Sequence, residues 1–271
     1  MPLPETTESD LVAHLHDLGV RHGDRIVVHS RLISFGNIRG GVATVYAAFQ
    51  RVLGDSGTLA VPTYTAALDE ASIFDPTSTP SQDTGVFSEF VRKQKGAVRS
   101  RCPMHSHAAV GPDAHLLSLP SGNFSIGPGS DFELLLNAKF SLVLLGCSFK
   151  EGATFIHHSE VAAKVPYRVP LDLPRLVLGA DGASVSVSCR YYGRPTTEYC
   201  ENFDFILSEL RGGNSLRSAA CPLASSFFIP LADLHAATTQ LLLRDPYALV
   251  YKGENPYTID QYMQAGLLDH S

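Results

Sequence analysis

Residues 25 to 63 carry the pattern that most restricts what this chain can fold into. Two short apolar segments, Arg25–Ser30 and Gly57–Thr63, enclose a glycine-rich loop (Arg31–Gly41) and the segment Val42–Leu53. The apolar segments have the length of buried strands, and Val42–Leu53 has apolar residues at helical spacing. Strand, loop, helix and strand in this order indicate an α/β fold. Backbone N–H groups at the start of such a helix can bind an anion, although a glycine-rich turn without a ligand is the simpler interpretation of this loop alone.

The rest of the chain extends the same alternation. Phe140–Gly146 is the most apolar predicted strand and is expected to be central, and Arg175–Tyr192 reads as a β-hairpin turning at Gly179–Gly182. In its second strand, Val185 and Val187 are expected on one face and the alternating serines on the other. Apolar spacing predicts further helices at Glu8–Leu18 (ending at Gly19), Val86–Lys95, Ala153–Lys164, Phe203–Leu210 and Ala232–Leu243.

Two features describe the organisation of the chain as a whole. Residues 66 to 85 form a polar connection longer than ordinary loops, which favours a lid or binding loop. No internal repeat or change in composition marks a linker, so a single domain over residues 1–271 is expected.

Composition narrows the class of function. The chain has 271 residues, 44% apolar and 18% charged, with a net charge of −6. This balance argues against a nucleic-acid-binding surface and fits an acidic enzyme that meets cationic small molecules. The polar N-terminus does not resemble a secretory signal, no apolar run is long enough to span a bilayer, and the five cysteines form no CxxC pair. A soluble cytoplasmic protein with reduced thiols is expected.

One candidate site lies on the predicted helix after the central strand. His157 and Glu160 are three residues apart and therefore share a helix face. A carboxylate beside an imidazole orients it and suits it for general base catalysis. An exposed pair with no function has the same spacing. The sequence has neither an HExxH motif nor a third ligand at a characteristic spacing, so a metal site is not indicated.

A second dense segment is Arg99–Gly111, which combines arginine, histidine, serine and Cys102 ahead of an apolar run. Such density is unusual for a purely structural loop, although a solvated turn has the same composition.

Taken together and in order, these segments resemble the aminoglycoside 3-N-acetyltransferase family, the antibiotic N-acetyltransferases that differ in fold from the GNAT enzymes. The resemblance extends from about His29 to Glu160, with a looser continuation to about Leu249. The matching stretches are HSRLISFG followed by GG, GTLAVPTYT, FDPTSTPSQDTGVFSEFVR, GAVRS-x-x-P-x-x-S-x-AAVG, LVLLG and T-x-x-H-x-x-E. Each stretch alone is a modest match to the family, and the six in the right order make the resemblance specific.

The resemblance implies a fold, a carrier and a set of site residues. The fold is α/β, a single domain with a central mixed sheet flanked by helices, and the carrier is coenzyme A with acetyl-CoA as co-substrate. His157 corresponds to the catalytic histidine and Glu160 to its carboxylate partner. Donors near Ser106 or Thr154 are expected to stabilise the oxyanion. The positions implied near the carrier are Ser30, Arg31, Leu32, Phe35, Gly36, Ser100, Ser106 and Thr154.

Cys102 is the main departure from the family, which usually has histidine at this position. A tolerated substitution in a packed loop is one interpretation. The alternative is that Cys102 approaches His157 and forms a covalent acyl-enzyme. The enzyme would then be a ping-pong transferase, or a thioester hydrolase or cyclase.

The resemblance implies an acyl-CoA-dependent N-acyltransferase whose acceptor is a small amine. An aminoglycoside, as in antibiotic resistance, is one acceptor class, and a substrate of antibiotic biosynthesis, with another acyl thioester or an acyl carrier protein as donor, is the alternative. A catalytically silent homologue is disfavoured by the intact His157–Glu160 pair. A homodimer is possible, and no nucleic-acid or membrane partner is expected. The carboxylates considered for a cationic acceptor are Asp69, Glu70, Asp75, Asp83, Glu198 and Glu201.

Overall fold

The computed structural model describes residues 3–82, 84–119, 123–179, 181–194 and 198–253. The helices in these ranges are α1 Glu8–Leu18, α2 Val42–Leu53, α3 Gly85–Arg92, α4 Asp131–Asn137, α5 Phe149–Gly152, α6 Ile156–Ala163, α7 Leu207–Leu210 and α8 Leu231–Arg244. Short 3-10 helices lie at Leu32–Phe35, Pro112–Ser118 and Phe203–Ile206. The strands are β1 Glu5–Thr6, β2 Arg25–Ser30, β3 Asn37–Ile38, β4 Thr58–Pro62, β5 Ile73–Phe74, β6 Val98–Arg99, β7 His107–Val110, β8 Ser141–Leu145, β9 Val169–Leu178, β10 Ser184–Gly193, β11 Tyr199–Glu201, β12 Arg217–Cys221, β13 Ala224–Pro230 and β14 Val250–Lys252.

Seven strands form the main sheet, in the order β12-β13-β8-β2-β4-β7-β6. Strand β2 pairs in parallel with both β4 and β8, and the outer pairs are antiparallel. The sheet is therefore mixed, which confirms the expected fold class, and the predicted strand at Phe140–Gly146 lies inside it as β8.

The first two helices begin and end where the sequence predicts. At the start of α1, Thr7 and Asp10 form a capping box, and at its end Gly19 adopts the left-handed conformation that a glycine C-cap favours. Helix α2 follows its N-cap residue Gly41 and runs from Val42 to Leu53 with one buried face. Local signals at both ends therefore define these helices.

Both faces of the main sheet are covered. Alternate residues of β8 point to opposite sides, so Leu142 and Leu144 join one apolar cluster while Val143 and Leu145 join the other. The first cluster includes residues of α4, α6 and α8, and the second includes residues of α1, α2 and α3. The result is a sheet between two helical layers.

The hairpin is confirmed as β9 and β10 and is longer than predicted. Near the turn of the hairpin the Val185 side chain is 51% exposed, because the hairpin extends past the core at that end. Within the main sheet, strands β6, β7, β12 and β13 were not predicted. The polar connection after residue 66 includes β5, which pairs in parallel with β9. It is therefore anchored to the hairpin at that point, and its role as a lid stays a prediction.

Among the described residues, no helix combines the length and apolarity needed to cross a membrane.

Candidate active site

A cavity of about 340 Å³ opens where the three parallel strands of the main sheet end. Strand β2 ends at Ser30, β4 at Pro62 and β8 at Leu145, two residues before Cys147. Strand β2 lies between its parallel neighbours β4 and β8, and the carboxyl ends of such strands are where open α/β sheets bind ligands. The residues lining the cavity are His29, Ser30, Arg31, Pro62, Tyr64, Thr84, Gly85, Cys147, Glu151, Gly152 and Thr154.

Two polar groups of this lining have unmet hydrogen-bonding capacity. The hydroxyl oxygens of Tyr64 and Thr84 are buried and make no hydrogen bond of normal geometry to any described residue. Leaving a buried hydroxyl unpaired costs about 1–3 kcal/mol, so the lining is suited to a ligand that supplies polar atoms. At the more exposed side, Arg31 and Glu151 form a loose ion pair at 3.6 Å, which leaves the Arg31 guanidinium free to meet an anionic group.

Cys147 also lines this cavity, and its thiol donates to the His29 carbonyl at 3.7 Å. Burial, together with the nearby Glu151 charge, raises the pKa of Cys147 to about 12. The thiol is therefore protonated at neutral pH and is a poor nucleophile there.

Helix α6 places the predicted base next to the cavity. Thr154 lines the cavity, and the backbone N–H of His157 donates to the Thr154 carbonyl at 3.0 Å, one helical turn further on. The His157 side chain is 16% exposed, and its ring packs edge-on against Phe203 at 5.1 Å. His157 is therefore both accessible and held in orientation.

Glu160 is the buried partner of His157. Its Oε2 lies 2.8 Å from His157 Nδ1, and its Oε1 accepts a hydrogen bond from the Tyr167 hydroxyl at 2.8 Å. Burial alone would raise the pKa of Glu160, but the charge of Arg168 and the hydrogen bond from His157 outweigh it and lower the pKa to about 2. The carboxylate is therefore ionised at neutral pH and acts as an acceptor.

Arg168 and Glu201 complete this cluster. Arg168 Nε lies 2.5 Å from Glu160 Oε2, and its Nη2 donates to Glu201. His157, Glu160 and Glu201 bring their ligand atoms within 4.8 Å of one another, a spacing that would fit a metal ion. The guanidinium of Arg168 contacts all three residues, so the positive charge at this point belongs to the protein, and we assign no metal to it.

The residues predicted near the carrier divide into two groups. Ser30, Arg31 and Thr154 line the cavity. The other five are Leu32, Phe35, Gly36, Ser100 and Ser106, and the described lining does not include them.

Local packing accounts for their positions. Phe35 is 1% exposed and stacks edge-on against His14, and Gly36, at φ 72°, leaves no room for a Cβ beside the Pro4 carbonyl. The Ser100 hydroxyl donates to Asp131, and that of Ser106 donates to the Thr63 carbonyl at 2.7 Å. A carrier-binding role for these five stays a prediction.

Cys102 lies in a different environment from His157. It is 3% exposed and packs in a small cluster with Met104, Leu173 and Cys189. Interaction with Cys189, together with burial, raises the pKa of the Cys102 thiol well above its ordinary value. No hydrogen bond in the described part of the chain joins Cys102 to His157, and these features argue against the nucleophile hypothesis.

The carboxylates considered for the acceptor are spread over the surface. Glu201 lies beside His157, with Oε1 3.9 Å from Nδ1. Asp69 and Asp75 accept hydrogen bonds from neighbouring serine and threonine side chains, which lower the pKa of each. Glu70 and Glu198 are exposed, and Asp83 falls outside the described residues.

Sequence reasoning missed Tyr64, Tyr167 and Arg168 as site residues and took Glu201 only as an acceptor carboxylate. Tyr64 stands in the predicted GTLAVPTYT stretch at the end of a strand, and that position was an available signal. Tyr167 and Arg168 follow α6 in an irregular segment, where no periodicity indicates burial.

Comparison with known proteins identifies the family. The profile of the aminoglycoside 3-N-acetyltransferase family matches residues 27–243. The aminoglycoside N(3)-acetyltransferase VIII of Streptomyces fradiae is 35% identical over 179 residues, 59% of this chain and 62% of that protein. The match thus spans less than two thirds of that relative's length.

Solved structures match over nearly the whole chain. The apoenzyme of aminoglycoside acetyltransferase AAC(3)-IVa has a TM-score of 0.78 at 28% identity, covering 97% of this chain and 98% of that one. A histidine-to-alanine variant of AAC(3)-IVa in complex with a gentamicin has a TM-score of 0.77 at 28% identity, covering 92% and 93%. The fold, the residue order and the family profile agree, and the chain belongs to the aminoglycoside 3-N-acetyltransferase family of acyl-transferring enzymes.

Proposed function

We propose that this chain transfers the acetyl group of acetyl-coenzyme A to an amino group of an aminoglycoside, with His157 as the general base. The observation that carries the proposal is the position of His157, held by the buried Glu160 carboxylate and one helical turn from the cavity residue Thr154. The family membership supports the acyl transfer. The gentamicin complex of AAC(3)-IVa supports an aminoglycoside as the acceptor.

The cavity suits the acyl carrier. Arg31, half exposed at the cavity, would meet the phosphates, because guanidinium groups bind them through paired hydrogen bonds. The unpartnered hydroxyls of Tyr64 and Thr84 would meet the polar amides and thioester of the pantetheine arm. The thioester end then lies toward Thr154 and His157.

The proposed reaction follows from the ionisation of these groups. An amine is protonated at neutral pH and must lose a proton before it attacks a thioester. With Nδ1 of His157 donating to Glu160, the lone pair of Nε2 accepts that proton. The amine nitrogen bonds to the carbonyl carbon, the carbon–sulfur bond breaks, and the coenzyme A thiolate leaves and takes up a proton.

Thiol release from acetyl-coenzyme A, followed with and without a panel of aminoglycosides and simple amines, tests this function. We expect release that depends on an aminoglycoside and falls by about 10²-fold or more in His157→Ala, since a general base contributes about 10²–10⁴-fold. His16→Ala, which removes an exposed histidine from α1, is the matched control and should match the wild type.

The remaining outcomes would overturn the proposal in different ways. Release without any amine would indicate thioester hydrolysis. No release with any acceptor would indicate another donor, such as an acyl carrier protein. Full activity in His157→Ala would assign the base to another residue.

A further inference from the structure

The guanidinium of Arg168 occupies the centre of the polar cluster behind His157. Its side chain is 3% exposed, and Nη1 donates to the Tyr192 carbonyl at 2.9 Å. Nε lies 2.5 Å from Glu160, and Nη2 contacts both Glu201 and, at 2.6 Å, Nδ1 of His157. Arg168 therefore contacts the same imidazole nitrogen that Glu160 binds.

These two contacts on Nδ1 are mutually exclusive as hydrogen bonds. Glu160 Oε2 at 2.8 Å can only accept, because the pKa of this carboxyl is about 2. Arg168 can only donate, because a guanidinium stays protonated in proteins. Nδ1 must carry a hydrogen to bond Glu160 and a lone pair to bond Arg168.

Which of these two hydrogen bonds Nδ1 makes decides whether His157 can act as a base. With the hydrogen on Nδ1, Nε2 has a free lone pair and accepts a proton. With Arg168 donating to Nδ1, the hydrogen moves to Nε2 and the neutral ring has no acceptor on that side. Glu201 enters here because it binds the same Nη2 that approaches Nδ1, and so competes with the imidazole for Arg168.

We propose that Arg168 and Glu201 are positioning residues that fix the tautomer of His157 and set the pH range in which it serves as a base. The inference rests on the proposed function of His157. Glu201 draws the Arg168 donor away from Nδ1, and Arg168 offsets the negative charge that two carboxylates place on the imidazole.

The charges predict shifts of opposite sign. Without Arg168, the fields of Glu160 and Glu201 stabilise protonated His157, so activity is lost at a higher pH. Without the Glu201 charge, protonated His157 is less stable, so activity persists to a lower pH. The other titratable groups around this cluster are Arg194, His105, Tyr167 and Tyr191, and none of them is changed in the variants below.

The test is the pH dependence of kcat/KM for amine-dependent thiol release. The acid limb is the part of the profile in which kcat/KM falls as the pH is lowered. We expect this limb to lie about one pH unit higher in Arg168→Met and about one pH unit lower in Glu201→Gln, which is a tenfold change in proton affinity. Arg190→Met, which breaks the exposed Arg190–Asp172 pair on the hairpin, should leave the limb unchanged. A purely structural role for the cluster would lower kcat without opposite shifts, so superimposable limbs would overturn the proposal.

A second measurement needs no turnover. The nitrogen-15 chemical shifts of histidine-labelled protein distinguish Nδ1–H from Nε2–H, and we expect Nδ1–H in the wild type and more Nε2–H in Glu201→Gln. An unchanged tautomer in Glu201→Gln would contradict the proposal even if the acceptor is not an aminoglycoside. Should Arg168→Met not fold, Arg168→Lys keeps the charge and should keep the acid limb in place while lowering kcat. A shift of the acid limb in Arg168→Lys to the position seen without the charge would contradict the charge argument.

Discussion

At the scale of single residues, a buried thiol becomes a nucleophile only if a cation or a base removes its proton. Cys102 is enclosed by apolar side chains and by a second thiol, Cys189, and this environment raises the pKa of its thiol well above the ordinary value. Its sulfur accepts from the backbone N–H of His105 at 3.3 Å and lies 3.8 Å from the Phe124 carbonyl. These contacts use the sulfur as a packing and hydrogen-bonding group.

We therefore expect Cys102→Ser to keep kcat/KM within about threefold of the wild type, a change of less than about 0.7 kcal/mol in the barrier. The measurement is amine-dependent thiol release, with Cys200→Ser, a half-buried thiol on β11, as the control. A loss of about 10²-fold confined to Cys102→Ser, with a trapped acyl-enzyme in the wild type, would restore the covalent mechanism.

At the scale of elements, the end of β8 and the 3-10 turn after β2 are packed as one unit. The Ser34 hydroxyl donates to the Gly146 carbonyl at 2.6 Å, and the Arg31 N–H donates to the Leu145 carbonyl at 2.9 Å. Gly146 has φ 68°, and a Cβ there would lie 2.7 Å from Ser34 Cβ. A side chain at this position would push the turn that carries Arg31 away from the cavity.

Gly146→Ala should therefore weaken donor binding as well as stability. We expect the KM for acetyl-coenzyme A to rise about tenfold, equivalent to about 1.4 kcal/mol, and the free energy of unfolding to fall by about 1–3 kcal/mol. Gly182→Ala is the matched control, because its φ is 80° and no described atom lies within 4 Å of the new Cβ. Equal stability losses with an unchanged KM in both variants would show that the turn does not position the donor.

The same elements show how far the sequence predicts this structure. Helices α1 and α2 are predictable to the residue because glycine and capping residues mark their ends. Strand β6 has only two residues, and β12 reads Arg-Ser-Ala-Ala-Cys, without apolar alternation, so their pairing depends on neighbours distant in the chain. The site divides likewise: spacing within one helix joins His157 to Glu160, whereas Glu201 reaches them only through the fold.

At the scale of the whole molecule, the side chains of His29, His105 and His158 are buried in the fold. Burial, reinforced by the charge of nearby histidines, lowers the pKa of His29 and His105 to about 3 and that of His158 to about 4. In the unfolded chain each has a pKa of about 6.5. Below about pH 6.5 the unfolded chain therefore binds protons that the folded protein does not. The free energy of unfolding is highest above about pH 6.5 and decreases as the pH falls toward the pKa values of the buried histidines.

We expect the free energy of unfolding in urea to fall between about pH 6.5 and pH 5, by about 1.4 kcal/mol per pH unit for each such histidine. Glu160 does not account for a fall in this pH range. Its pKa is about 2 in the folded protein and near 4.3 in the unfolded chain, so the stability that its ionised form contributes is lost only at lower pH. His158 is the residue to change, since its Nδ1 is buried without a partner among the described residues and its ring packs against Phe155 and His235.

His158→Phe keeps an aromatic ring at that position and removes the titrating nitrogen. Its stability should therefore depend less steeply on pH, by about 1.4 kcal/mol per unit over this range, because one proton fewer is taken up on unfolding. The exposed His115, replaced by glutamine, is the control and should follow the wild-type slope. If both variants retain that slope, the acid sensitivity arises elsewhere, and the buried histidines are held neutral at no cost to the fold.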